Sequence, residues 1–273
     1  LLAQAEQTID AYFARAANRM ELTLQGVADA TAKRTGKTLE SALVAVDLSA
    51  TLPPAAQLAA MAGDTLIMGA PSAEWWSRQA KDTAFRFAAA VRQGLAVGET
   101  TEQIAARVAG RRGFPGIIDI TRAHARSLVH ASVQEVANEA RRETFKANSN
   151  VVSGIMQLST LDSNTTDICI AYDRAEFDRD GEPINGTTLP YESGCPRHWG
   201  CRSVEVPITR TFKELGVDVP EPRGGARAST DGPVPITTTF AEFLATQTKE
   251  EQDEQLGAGR AQLWRDGTIT LTQ

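Results

Sequence analysis

Three cysteines and one of the three histidines of this 273-residue chain fall between Cys169 and Pro207. Soft side chains gathered so densely are the first place to look for chemistry. Cys195, His198 and Cys201 lie two residues apart in series, with Cys169 upstream. Zinc takes four such ligands tetrahedrally, and three cysteines with one histidine form an accepted structural set. A structural zinc on Cys169, Cys195, His198 and Cys201 would tie down a Gly/Pro-rich loop that has little apolar content of its own. The spacing lacks a paired CxxC form, because Tyr172 stands where a second upstream cysteine would be. The same residues also read as small buried thiols and a hydrogen-bonded histidine in a metal-free fold element. Catalytic zinc is the weaker reading, since four protein ligands leave no position for substrate.

Other chemistries find less support. His198 and Cys201 are too close in sequence to expect nucleophile-and-base geometry, and no orienting partner stands out. The acidic run around Asp173, Glu176, Asp178 and Asp180 lacks the ligand order and terminal glutamate of an EF-hand. Walker A, GxGxxG and GxSxG patterns are absent from the sequence. A cluster of Arg107, Arg111, Arg112, Arg122 and Arg126 could touch phosphate or an acidic partner, or simply decorate solvated helix ends. Charge argues against broad nucleic-acid binding: residues 1–147 carry 17 Lys+Arg against 15 Asp+Glu, whereas residues 148–273 carry 11 against 19. A continuous basic surface, which phosphate neutralisation requires, is not expected on the second half.

The elements that must position these residues are mostly helical. Ile9, Phe13, Ala16, Met20, Leu24 and Val27 recur at helical spacing over residues 2–30, with Gly36 as a stop. Residues 37–71 read as a connection with a short helix, broken at Pro53-Pro54. Ser72 predicts an N-cap for a long helix whose stripe is Trp76, Ala80, Ala84, Phe87, Val91 and Leu95. Thr100 with Gln103 forms a capping box for a short helix ending at Gly110. Asp119 predicts the cap of a further long helix buried along Ala125, Val129, Ser132, Val136 and Ala140. From Asn148 the pattern changes to strands at 151–158 and 203–208, a turn-rich loop between them, and a Pro/Gly-rich excursion. A capping box at Thr239 and Glu242, an acidic helix, a short helix with Trp264 and a strand at 269–271 close the chain. The expected class is α+β: a helical arm over 1–147, then a compact α+β module over 148–273 with a flexible excursion at about 209–238. No membrane segment or signal peptide is expected. Beginning at Leu1 without a methionine, the chain reads as lacking its true N-terminus.

The order of these pieces resembles the phage Mu F-like minor head protein family, also described as phage head morphogenesis proteins. The resemblance rests on FRFAAAVRQGLAVGETTEQIAARVAG, ITRAHARSLVHASVQEVANEARRETF, STLDSNTTDIC, PRHWGCRSVEVPI and LGAGRAQLWRDGTITL, over about residues 80–273. The family pattern places a cysteine near the Leu-Asp segment, here Cys169, and a Pro-x-His-x-x-Cys-Arg-x-Cys run, here Pro196, His198, Cys201 and Arg202. Ser203 occupies its last cysteine and Tyr172 its second upstream one, so Cys195 would have to supply a fourth ligand by a different route. The resemblance implies a non-enzymatic protein inside the virion head, assembled in the host cytoplasm. It would contact the portal protein or the major capsid protein, and weakly the packaged DNA, in morphogenesis and in DNA packaging or delivery. Two other readings stay open: a delivered nuclease or transferase using the Cys/His segment, and a DNA-binding packaging factor using the arginines.

Overall fold

The computed structural model describes residues 2–222 and 224–271. The chain is α+β, with long helices first and a small sheet-containing part after them. It forms two compact units, one from residues 1–30 and 54–139, the other from 31–53 and 140–273. Helices α1 (Leu2–Ala42) and α5 (Ile117–Ala147) each contribute to both.

The first unit is helical. Phe13, Met20 and Leu24 of α1 are buried along the stripe the spacing predicts, joined by Ala28. Two further elements follow Pro53-Pro54: α2 (Ala55–Asp64) and a hairpin of β1 (Leu66–Ile67) and β2 (Ala70–Pro71). Met68 and Gly69 both take positive φ at its tip, the two-residue turn that matches strand twist. Helix α3 (Ser72–Ala96) starts one residue earlier than a Ser72 cap requires: Pro71 is the N-cap and no side chain caps it. Trp76 and Ala80 are buried, and the Trp76 ring lies 6.2 Å from that of Phe13. At the far end the stripe shifts, leaving Leu95 exposed and burying Gly94. A Cβ on Gly94 would stand 2.4 Å from the Ile104 side chain, so the glycine admits α4 (Thr101–Ala109) at close range. The Thr100–Gln103 capping box forms with both of its bonds. On α5, Asp119 lies inside the first turn and reaches back to the Gly116 amide at 3.1 Å instead of occupying the cap. Leu128, Ala131 and Ser132 are buried there, while Val129 is exposed.

The second unit takes the last part of α1, which passes through Gly36 without stopping. The missing side chain explains this: a Cβ at Gly36 would sit 2.9 Å from Leu52, so the glycine makes room for the returning chain. Asn148 holds that return, exchanging hydrogen bonds with Thr51 N–H and C=O at 2.9 and 2.8 Å. A four-stranded antiparallel sheet in the order β5-β4-β3-β6 is built on β3 (Val152–Leu158) and β6 (Val204–Thr209), with β4 (Glu176–Asp178) and β5 (Pro183–Ile184) from the turn-rich loop. Leu39, Leu43, Phe145, Val151, Val152 and Phe212 form one core. A second core joins Leu161 and Ile170 to Phe240, Phe243, Leu244, Leu256 and Ala261. Its helical members come from α6 (Asp167–Ala171), α7 (Phe240–Ala245), α8 (Lys249–Leu256) and α9 (Ala258–Arg265). Within 209–238 lie the buried Phe212 and a hairpin of β7 (Ala226–Arg227) and β8 (Val234–Pro235) that carries the buried Arg227. Residues 269–271 form no strand; Leu271 instead packs into the second core.

Candidate metal centre

Two short elements bring the soft side chains together. Thr166 is the N-cap of α6, whose single turn carries Cys169 inward to 2% exposure. The partner element is the turn His198–Cys201, closed by a Cys201 N–H to His198 C=O bond of 3.1 Å. Gly200 takes φ +78°, which suits the third residue of a type II turn and disfavours any residue with a Cβ. A two-residue spacer is thus what lets His198 and Cys201 project to one point.

Ligand atoms of Cys169, His198 and Cys201 lie within 4.8 Å of one another. Cys169 Sγ is 3.6 Å from Cys201 Sγ and 3.2 Å from His198 Nε2. Around a tetrahedral zinc, Zn–S and Zn–N bonds of ordinary length put two sulfurs about 3.8 Å apart and sulfur and nitrogen about 3.5 Å apart. The observed distances fall within a few tenths of an ångström of those edges. His198 is also oriented for ligation. Its Nδ1 lies 2.9 Å from the Trp199 carbonyl, which can only accept, so Nδ1 carries a proton and Nε2 is the ring nitrogen turned to Cys169 Sγ and Thr166 Oγ1.

Electrostatics separate the three thiols, none of which forms a disulfide. Cys201 is pulled down to about 5, chiefly by the hydrogen bond from Cys169, helped by the Arg197 and Ser203 backbone N–H groups and the Ser203 hydroxyl. Cys169 is pushed up, because it holds the proton shared with Cys201 and is buried. Cys195 is pushed well up by burial and then by the charge of Glu205. Two thiols coupled in this way form a donor pair that would release protons on binding a soft cation.

Of the four residues singled out in the sequence, three meet in this group. Cys195 is packed against Cys169 and Cys201 but directs its thiol to Glu205 Oε1 at 3.9 Å. Glu205, 2% exposed, also accepts from Cys195 N–H and Tyr191 Oη at 3.1 Å and from Arg142 Nη1 at 3.3 Å. Tyr172 lies away from the sulfurs: its hydroxyl donates to the Pro190 carbonyl, and the Arg197 guanidinium stacks 3.4 Å from its ring centre. Arg202, next to Cys201, forms a two-pronged pair with Asp162. Burial alone would raise the Asp162 carboxyl, but the Arg202 bond and the Asn164 N–H outweigh it and hold the carboxyl low. Sequence reasoning missed that Ser203 is buried beside the group, and Glu205 as the partner of Cys195. The signal lay in the alternation on entry to β6, where Cys201, Ser203 and Glu205 are buried and the residues between them are not.

The arginines lie in the first unit. Arg107 is engaged by Glu99 at 2.5–2.9 Å, and Arg111 stacks over Phe114 at 5.1 Å. Arg122 and Arg126 share an exposed face of α5 one turn apart, and Arg112 is exposed in the preceding turn.

Fold and site define a helical protein with a small antiparallel sheet and a group of two buried cysteines and a half-buried histidine that could hold a metal ion. A family model described as phage Mu protein F like protein matches residues 86–206, which supports the family resemblance over that stretch, from within α3 into β6. Comparison with curated proteins and with solved structures found no significant match.

Proposed function

We propose that this chain is a non-enzymatic minor head protein of a tailed phage, acting in head morphogenesis and DNA packaging through contact with the portal or the inner capsid. The family match over residues 86–206 carries the reading, because that stretch includes α4, α5, strands β3 to β5, the start of β6 and the whole Cys/His group. The residues present fit a zinc ion, with Cys169, His198 and Cys201 as its holders. Zinc bound there would supply structural cross-linking of α6 to the turn before β6. The helical unit supplies the contact surface: Tyr12, Leu22, Phe85, Leu95 and Phe114 are each at least 62% exposed there. Apolar side chains this exposed are what a protein partner covers. No described helix is long and apolar enough to cross a membrane. Among the alternatives, DNA binding is disfavoured by the engagement of Arg107 with Glu99 and by the acidic second half of the chain.

Quantitative mass spectrometry of purified virions tests the proposal. The protein should be present at a small fraction of the major capsid protein, and a phage with an early stop codon in its gene should yield few infectious particles. Recovery of the protein only outside heads and virions would refute the assignment. A nuclease or transferase activity abolished by His198→Ala in folded protein would refute its non-enzymatic part.

A further inference from the structure

The Cys/His group supplies three ligand atoms, and zinc takes four. Cys195 is the nearest remaining soft side chain, yet its thiol and its backbone N–H both turn to Glu205, a carboxylate that Arg142 and Tyr191 also hold. Moving Cys195 onto a metal would break that buried network. Ser203, 2% exposed, lies two residues beyond Cys201, with its hydroxyl 3.2 Å from Ser159 Oγ, which in turn donates to the Cys169 carbonyl. Beside it is a cavity of about 10 Å³, lined in part by Asn164, Thr166, Cys169, His198 and Ser203. Space of that size holds about one water molecule and excludes another side chain.

We infer that the fourth coordination position belongs to a water-sized oxygen or nitrogen donor seated against Ser203, and that Cys195 is not a ligand. This rests on reading Cys169, His198 and Cys201 as a metal group. It makes the centre a two-thiolate, one-imidazole site that exchanges a small exogenous ligand, in place of a closed set of three thiolates and a histidine. Thr166 and Ser203 supply the hydroxyls that would orient such a ligand, as hydrogen-bonding neighbours of a metal site do.

Cobalt(II) titration of the full chain tests it, because thiolate-to-cobalt charge transfer scales with the number of bound sulfurs. Ser203→Cys should raise that absorbance about 1.5-fold by completing a three-thiolate set. Cys195→Ser should leave it unchanged, and Cys169→Ser should abolish most of it by losing the metal. Added azide should shift the ligand-field bands of the wild type and not those of Ser203→Cys. Loss of about a third of the charge-transfer intensity in Cys195→Ser, or azide-insensitive wild-type bands, would overturn the inference while leaving the metal group standing. Failure of the wild type to bind cobalt would overturn both. Should Cys195→Ser fail to fold by circular dichroism, the Ser203→Cys and azide readings still decide the question.

Discussion

Replacing Asp173 by asparagine should be among the most damaging single changes to the second unit. Asp173 and Arg227 have side chains only 3% and 2% exposed. The carboxylate accepts both guanidinium nitrogens and the Ser159 N–H at 3.0 Å, while Arg227 also reaches the Ser159 and Thr238 carbonyls. One pair thus joins the end of β3, the turn after α6 and the β7–β8 hairpin. The amide side chain would keep the shape but remove the charge and one acceptor, leaving a buried guanidinium uncompensated, at a cost of about 3–5 kcal/mol. Replacing both residues, Asp173→Leu with Arg227→Met, removes the charges together and should recover much of that loss. The exposed Arg86–Asp82 pair, with side chains 42% and 45% exposed, is the control. Its removal should cost under about 0.5 kcal/mol. Hydrogen exchange of the β3 amides reads the effect locally, and urea unfolding reads it for the chain. The reasoning fails if Asp173→Asn costs less than about 1 kcal/mol, or if the double variant loses the sum of the two singles.

Gly154→Ala places a Cβ 2.4 Å from the Phe177 carbonyl across the β3–β4 ladder, where backbone cannot yield cheaply. A loss of about 1–3 kcal/mol in urea unfolding is expected, and an unchanged midpoint would contradict the register described. Thr239→Ala should cost about 1 kcal/mol by removing the cap of α7, read by urea unfolding. The Glu242 carboxyl is lowered, first by its bond from the Thr239 backbone N–H and then by the Thr239 hydroxyl. A depressed carboxylate stabilises above its unfolded value and loses that contribution as pH falls through the folded value. Glu242→Gln should therefore lower stability most at neutral pH and converge with the wild type as pH falls below about 4.5, which flattens the acid limb of the profile.

Helix positions were legible where periodicity and capping act locally. Phe13, Met20 and Leu24 sit where a 3.6-residue period puts them, and the Thr100–Gln103 and Thr239–Glu242 boxes form with both bonds. Glycine misled at Gly36, which reads as a stop yet is helical and, like Gly94 in α3, serves close approach by residues outside its own helix. Such contacts depend on tertiary neighbours that no window of sequence contains. The short strands β4 and β5 were hidden among turn residues, since pairing to β3 gives them their order. At the site, residue type and spacing found Cys169, His198 and Cys201. The role of Cys195 could not be read that way, because it depends on Glu205 arriving from β6 with Arg142 and Tyr191 already bound.

Metal content of the full chain, purified without chelator, is the most direct measure of the Cys/His centre on which this account turns. Elemental analysis should give close to one zinc per chain for the wild type and a small fraction of that for Cys169→Ser. A wild type free of metal under zinc-replete expression, or equal zinc in both proteins, would contradict it.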